Sequence, residues 1–95
     1  GSGPAYFFRF VEAMVDGAVA LGLSHADATT LTIQTMVGAA KLLDESGDTP
    51  TTLREKVTSP NGTTFAALNS FNDSDISGVV AKAMKAARDR SQDLA

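Results

Sequence analysis

The stretch "LTIQTMVGAAKLL", Leu31 to Leu43, decides the fold. Its residues are helix formers with no proline, and their pattern has no two-residue alternation. Wound at about 100° per residue, the apolar positions do not keep to one face. Leu31, Ile33, Met36, Val37, Ala39, Ala40, Leu42 and Leu43 go nearly all the way round, and only Thr30, Gln34 and Lys41 leave a narrow polar strip. A helix that is apolar on most sides is buried on most sides. A chain of 95 residues can hardly surround one helix by itself. A second copy of the chain is the economical cover. Gly38 lies inside the run, where glycine costs about 1 kcal/mol against alanine. A close helix crossing at that point accounts for it.

Working outward, Ala5 to Leu23 reads as a long helix, with Pro4 in its first turn, where a missing N–H costs nothing. Phe7, Phe8, Phe10, Val11, Met14, Val15, Ala18, Val19 and Leu21 occupy roughly half its circumference, opposite Arg9, Glu12 and Asp16. Gly22 ends it, and Ser24 with Asp27 resembles a capping box for the second helix, which is expected to run to about Asp44. "ESGDTP", Glu45 to Pro50, is a loop by composition. Thr51 to Val57 reads as a short helix. Another is expected from about Gly62 to Phe71, with Phe65, Leu68 and Phe71 inward. "NDSD" is a turn and N-cap. Ile76 to about Leu94 is the last helix, with Ile76, Val79, Val80, Ala83 and Ala87 as its apolar stripe. Nothing reads as a strand, so the expected class is all-α with about five helices, in one domain spanning 1–95.

Composition narrows the function. The chain is 43% hydrophobic and 20% charged, with a formal net charge of -3. That balance argues against a general nucleic-acid binder, whose affinity rests on clustered Lys and Arg. With no cysteine and one histidine, His25, thiol catalysis and Cys-based metal sites are excluded and no metal site is expected. No run is long and apolar enough to span a membrane, and no signal peptide is visible.

The chemistry-bearing stretch is "VTSPNGTT", Val57 to Thr64. Pro60 pushes Ser59 out of helical angles, and Asn61 and Gly62 suit a tight turn with positive φ. The next helix opens at once. Its first N–H groups, on Gly62, Thr63 and Thr64, lack intrahelical acceptors and lie at the positive end of the helix dipole. Ser59, Thr63 and Thr64 add hydroxyls, and the small side chains let a ligand approach the backbone. A carboxylate suits such a place. The same residues also read as ordinary turn and cap residues, because Ser and Thr are common at N-caps.

"VTSPNGTT" resembles the V-T-S-P-G-G-T-T motif of the pyrroline-5-carboxylate reductase family, the last enzyme of proline biosynthesis. "GSGPAYFF" resembles the opening of that family's C-terminal domain, "GLSHADATTLTIQTMVGAAKLL" its second helix, and "LREKVTSPNGTTFAAL" its core motif. The resemblance covers essentially the whole chain. It implies an intertwined helical dimer like the C-terminal domain of 6-phosphogluconate dehydrogenase, as a homodimer or higher oligomer. It implies an N-terminal Rossmann domain that binds NADPH or NADH. This chain carries no G-x-G-x-x-G after a strand, so that domain is expected to be absent from it, and cofactor-binding residues are unknown. By the resemblance, Ser59 binds the substrate carboxylate, the backbone N–H groups of Gly62 and Thr63 help hold it, and the Thr64 hydroxyl contacts the ring nitrogen as the catalytic group. Asn61 stands where the family usually has glycine.

Other residues read blandly. His25 is expected to be a solvated surface histidine. Lys82, Lys85, Arg88 and Arg90 alternate with acidic residues, which suits a solvated mixed-charge face. Lys56 reads as a surface lysine. Tyr6 with Phe7, Phe8 and Phe10 reads as core or interface packing. The expectation is the C-terminal domain of a cytoplasmic NAD(P)H-dependent oxidoreductase that reduces 1-pyrroline-5-carboxylate to L-proline. Such a chain is inactive without its cofactor-binding domain, and has neither nucleic-acid nor membrane partners. A non-catalytic dimerisation module, or the corresponding domain of a related imine or hydroxyacid dehydrogenase, is the alternative.

Overall fold

Helix α1, Gly3–Ala20, starts with Pro4 in its first turn, and its end is shaped by Gly22 at φ 113. The Leu23 N–H donates to the Ala18 carbonyl at 3.1 Å and the Gly22 N–H to Val19 at 3.0 Å. These are the paired bonds of a Schellman motif, and they need a left-handed residue at Gly22. The motif consumes Leu21 to Leu23, so the helix stops short of the Leu23 end expected from its periodicity. Helix α2, His25–Glu45, follows after Ser24, whose Oγ accepts from the Asp27 N–H at 3.1 Å. One half of the expected capping box is therefore present. His25 is the first residue of α2 and is exposed.

The computed structural model describes residues 1–95, which form five α-helices and no strand. The remaining helices are α3, Pro50–Lys56; α4, Thr63–Asp73; and α5, Ile76–Leu94. By contacts the chain divides into two compact units, Gly1–Pro50 and Thr51–Ala95. No helix is long and apolar enough to cross a membrane.

In the first unit α1 and α2 pack against each other. Val15, Ala28 and Thr32 are its buried residues, and they are the buried residues of the whole chain. Ala28 is fully covered, and a side chain that small brings the helices close. Around them lie exposed apolar groups: Phe7 at 59%, Phe8 at 68% and Val37 at 62%. Leu31, Ile33, Leu42 and Leu43 are exposed as well. An α2 that is apolar nearly all round thus has one flank covered by α1.

In the second unit α4 and α5 are in contact, and no residue is buried. Leu68 is half-buried, but Phe65 and Phe71 are 39% and 40% exposed, so the inward placement expected for them is not completed within this chain. Asp75, left-handed at φ 58, caps α5 by accepting from the Gly78 N–H at 3.2 Å. A Cβ at Gly78 would collide with that carboxylate. The basic residues of α5 are solvated as expected: Lys85 and Arg88 both pair with Asp89 on the surface.

Candidate functional site

The α3–α4 connection is held by backbone bonds before any ligand is considered. The end of α3 closes with the Val57 N–H on the Arg54 carbonyl and the Thr58 N–H on Glu55. The Thr58 Oγ1 also donates to the Arg54 carbonyl, at 2.6 Å. Next comes a β-turn from Ser59 to Gly62, with the Gly62 N–H donating to the Ser59 carbonyl at 3.1 Å. Pro60 takes the second position and Asn61 the third, where its φ is 59. Proline followed by a positive φ is the pattern of a type II turn. Asparagine tolerates that conformation better than most residues, so the turn forms without glycine at this position.

Gly62 is the N-cap of α4, extended at φ -86 and ψ -172, with no side-chain cap. Its carbonyl accepts the first helical bond, from Ala66, at 3.1 Å. A Cβ on Gly62 would lie 3.3 Å from the Ser59 carbonyl oxygen, tighter than ordinary contact. The turn therefore favours glycine at 62 for space and tolerates asparagine at 61.

This corrects one expectation. Gly62 was placed at the helix start with a free N–H, but the turn engages that N–H. The resemblance's hydrogen bond from Gly62 to a carboxylate thus competes with the Ser59 carbonyl. Helix α4 begins at Thr63, and the N–H groups of Thr63 and Thr64 have no acceptor in the chain. The hydroxyls of Ser59, Thr63 and Thr64 do not cap the helix, because the N-cap is glycine. Ser59 and Thr63 are exposed, while Gly62 and Thr64 are half-buried. The unit thus gathers two free amides and three hydroxyls within six residues, at the positive end of an eleven-residue helix. That set can receive an anionic, oxygen-bearing group.

Sequence reasoning placed these donors within one residue. It did not find that Gly62 is spent on the turn, although proline before Asn-Gly carried that signal. Lys56 ends α3 and Glu55 precedes it, both exposed. With no strand, these residues offer no strand–turn–helix cradle for a dinucleotide pyrophosphate. No hydride step is derived from them.

Known proteins place the geometry. The family model for pyrroline-5-carboxylate reductase dimerisation matches residues 1–94. The chain is 50% identical over 95 residues to a pyrroline-5-carboxylate reductase of Pseudomonas aeruginosa, and 42% identical over 94 residues to one of Arabidopsis thaliana. It spans 35% of the Pseudomonas protein and 34% of the Arabidopsis one. Among solved structures, a pyrroline-5-carboxylate reductase from Coxiella burnetii superposes with a TM-score of 0.96 at 40% identity, covering 100% of this chain and 35% of that one. A Plasmodium falciparum pyrroline carboxylate reductase with NADP bound gives 0.92 at 32% identity, covering 96% of this chain and 35% of that one. A match of this extent, over a chain whose α3–α4 turn was built from its own residues, means that this chain belongs to the pyrroline-5-carboxylate reductase dimerisation family.

Proposed function

We propose that this chain is the dimerising, substrate-binding domain of an enzyme that reduces 1-pyrroline-5-carboxylate to L-proline, in amino-acid biosynthesis in the cytoplasm. Residues 1–95 act as one helical domain, and the nicotinamide cofactor, NADPH or NADH, is held mainly by the rest of the enzyme. The observation that carries the reading is the free donor set at the start of α4 in a member of this family. The substrate has a carboxylate beside a ring C=N bond. Ser59 and the amides of Thr63 and Thr64 hold the carboxylate. Gly62 keeps the turn close-packed. The Thr64 hydroxyl hydrogen-bonds the ring nitrogen and orients the ring. Reduction adds a hydride to the imine carbon and leaves the nitrogen with a proton. An unperturbed threonine is too weak an acid to be the proton's source, so Thr64 acts on that nitrogen by positioning it.

Kinetics and melts on the same variants of the full-length enzyme test this. Ser59→Ala removes a hydrogen bond to a charged group, worth roughly 1.5–3 kcal/mol. The expected result is about a ten- to hundredfold fall in kcat/KM, mostly in KM, with little change in Tm. Thr64→Ala lowers kcat more, because its partner changes charge during reaction, and Thr64→Ser restores much of it. A lost Tm with normal kinetics means that the stretch is only a turn.

The thin core favours a second, compatible role, which is assembly. Three buried residues leave α2 and the α1 aromatics without cover, and a second copy supplies it. The 95-residue chain is expected to be a homodimer at micromolar concentration by light scattering, and to lack reductase activity alone. A well-folded monomer overturns the assembly reading.

A further inference from the structure

Gly38 lies well inside α2, where alanine would favour the helix by about fivefold in the folding constant. Nothing in this chain requires glycine there, since a Cβ at Gly38 would meet no atom within 4 Å. Over it lies a shallow groove of about 240 Å³, lined by Gly38, Lys41, Leu42, Glu45 and Ser46. All five come from α2 or its C-cap, so no other part of the chain forms the opposite wall. The spacing i, i+3, i+4, i+7 puts them on one face, and Leu31 lies on the same face a heptad earlier. Leu31 and Leu42 are 53% and 55% exposed. Between them the Thr35 hydroxyl is turned back onto the Leu31 carbonyl at 2.8 Å, which satisfies it within its own helix. The face offers an apolar floor, a notch with no side chain, and one charge of each sign at its end.

We propose that a helix of a second copy of this chain crosses α2 at Gly38, with the missing Cβ setting how close the two backbones come. The inference rests on the assembly reading above and names where that assembly is tightest. The dimerisation family supplies the occupant, and the one-helix groove supplies the place. Lys41 and Glu45 make the patch neutral, so two copies brought together there do not repel. Small residues at a crossing allow close packing, and any larger side chain forces the helices apart.

The sign of the effect makes the test. In the chain alone, Gly38→Ala fills open space and improves helix propensity. At a crossing it pries the dimer open. Sedimentation over a dilution series, with thermal melts at two concentrations, is measured for the wild-type chain, Gly38→Ala, Gly38→Leu and the control Thr30→Ala. Thr30 is exposed and belongs to the polar strip of α2. The expected result is a dimer at least tenfold weaker for Gly38→Ala, weaker again for Gly38→Leu, and unchanged or slightly tighter for Thr30→Ala. If Gly38→Leu does not fold, Gly38→Ala alone carries the comparison. A Gly38→Ala dimer as tight as wild type, or tighter, overturns the crossing while leaving the dimer in place. A monomeric wild type removes the assembly reading and the crossing with it.

Discussion

The two compact units of this chain are organised by different forces. Gly1–Pro50 holds every buried residue, Val15, Ala28 and Thr32, where two long helices lie together. Thr51–Ala95 buries none, and its ordered features are hydrogen bonds at chain reversals: the Ser59–Gly62 turn and the Asp75 cap. The first unit therefore spends its sequence on apolar surface, most of which it cannot cover. The second fixes the backbone at two points, each using a non-glycine residue at positive φ, Asn61 at 59 and Asp75 at 58. Packing and precise placement of donors are thus separated along the chain, and mutations should sort the same way.

The largest effect is expected where the first unit is most apolar. Leu31→Asp or Val37→Asp puts an uncompensated charge on surface that assembly covers, and the chain is expected to lose its helical signal by circular dichroism at micromolar concentration. Retained helicity there would erase the contrast between the units. Asp75→Ala strikes the second unit at its cap. It removes the bond to the Gly78 N–H and leaves alanine in a left-handed conformation, so about 2 kcal/mol should be lost, read by denaturant melts. Asn61→Ala sharpens the comparison. It leaves every listed hydrogen bond of the turn intact and changes only the cost of its positive φ, about 1 kcal/mol in the same melts. Lys85→Ala should cost roughly 0.3 kcal/mol and vanish in high salt, because its pair with Asp89 is surface-exposed.

Much of this was legible before the structure. Helix punctuation was carried by Pro4, Gly22, Ser24, Pro50 and Pro60, whose effects are local and depend on few neighbours. The α1 and α2 patterns also told correctly that this chain has more apolar surface than it can bury. What the sequence hid was who accepts which N–H. Proline, asparagine and glycine in a row allow either a free helix start at Gly62 or a closed turn ending there, and a single 3.1 Å bond to Ser59 decides it. The exposure of Phe65 and Phe71 was hidden for another reason: periodicity reports which face is apolar, and says nothing of whether this chain or another covers it.

The scant core also sets the tempo of folding. Nearly all contacts lie within helices or between neighbours in sequence, so a helix such as α2 can form within about a microsecond of release from denaturant. Cover for its apolar surface then waits on an encounter between two chains, a second-order event whose rate rises with protein concentration. Until it happens the chain carries Phe7, Phe8, Leu31 and Val37 in water, the surface by which helices also stick to the wrong partner. Diluting a refolding reaction of this chain should therefore slow recovery of the native state, and crowding it with other unfolded protein should lower the yield.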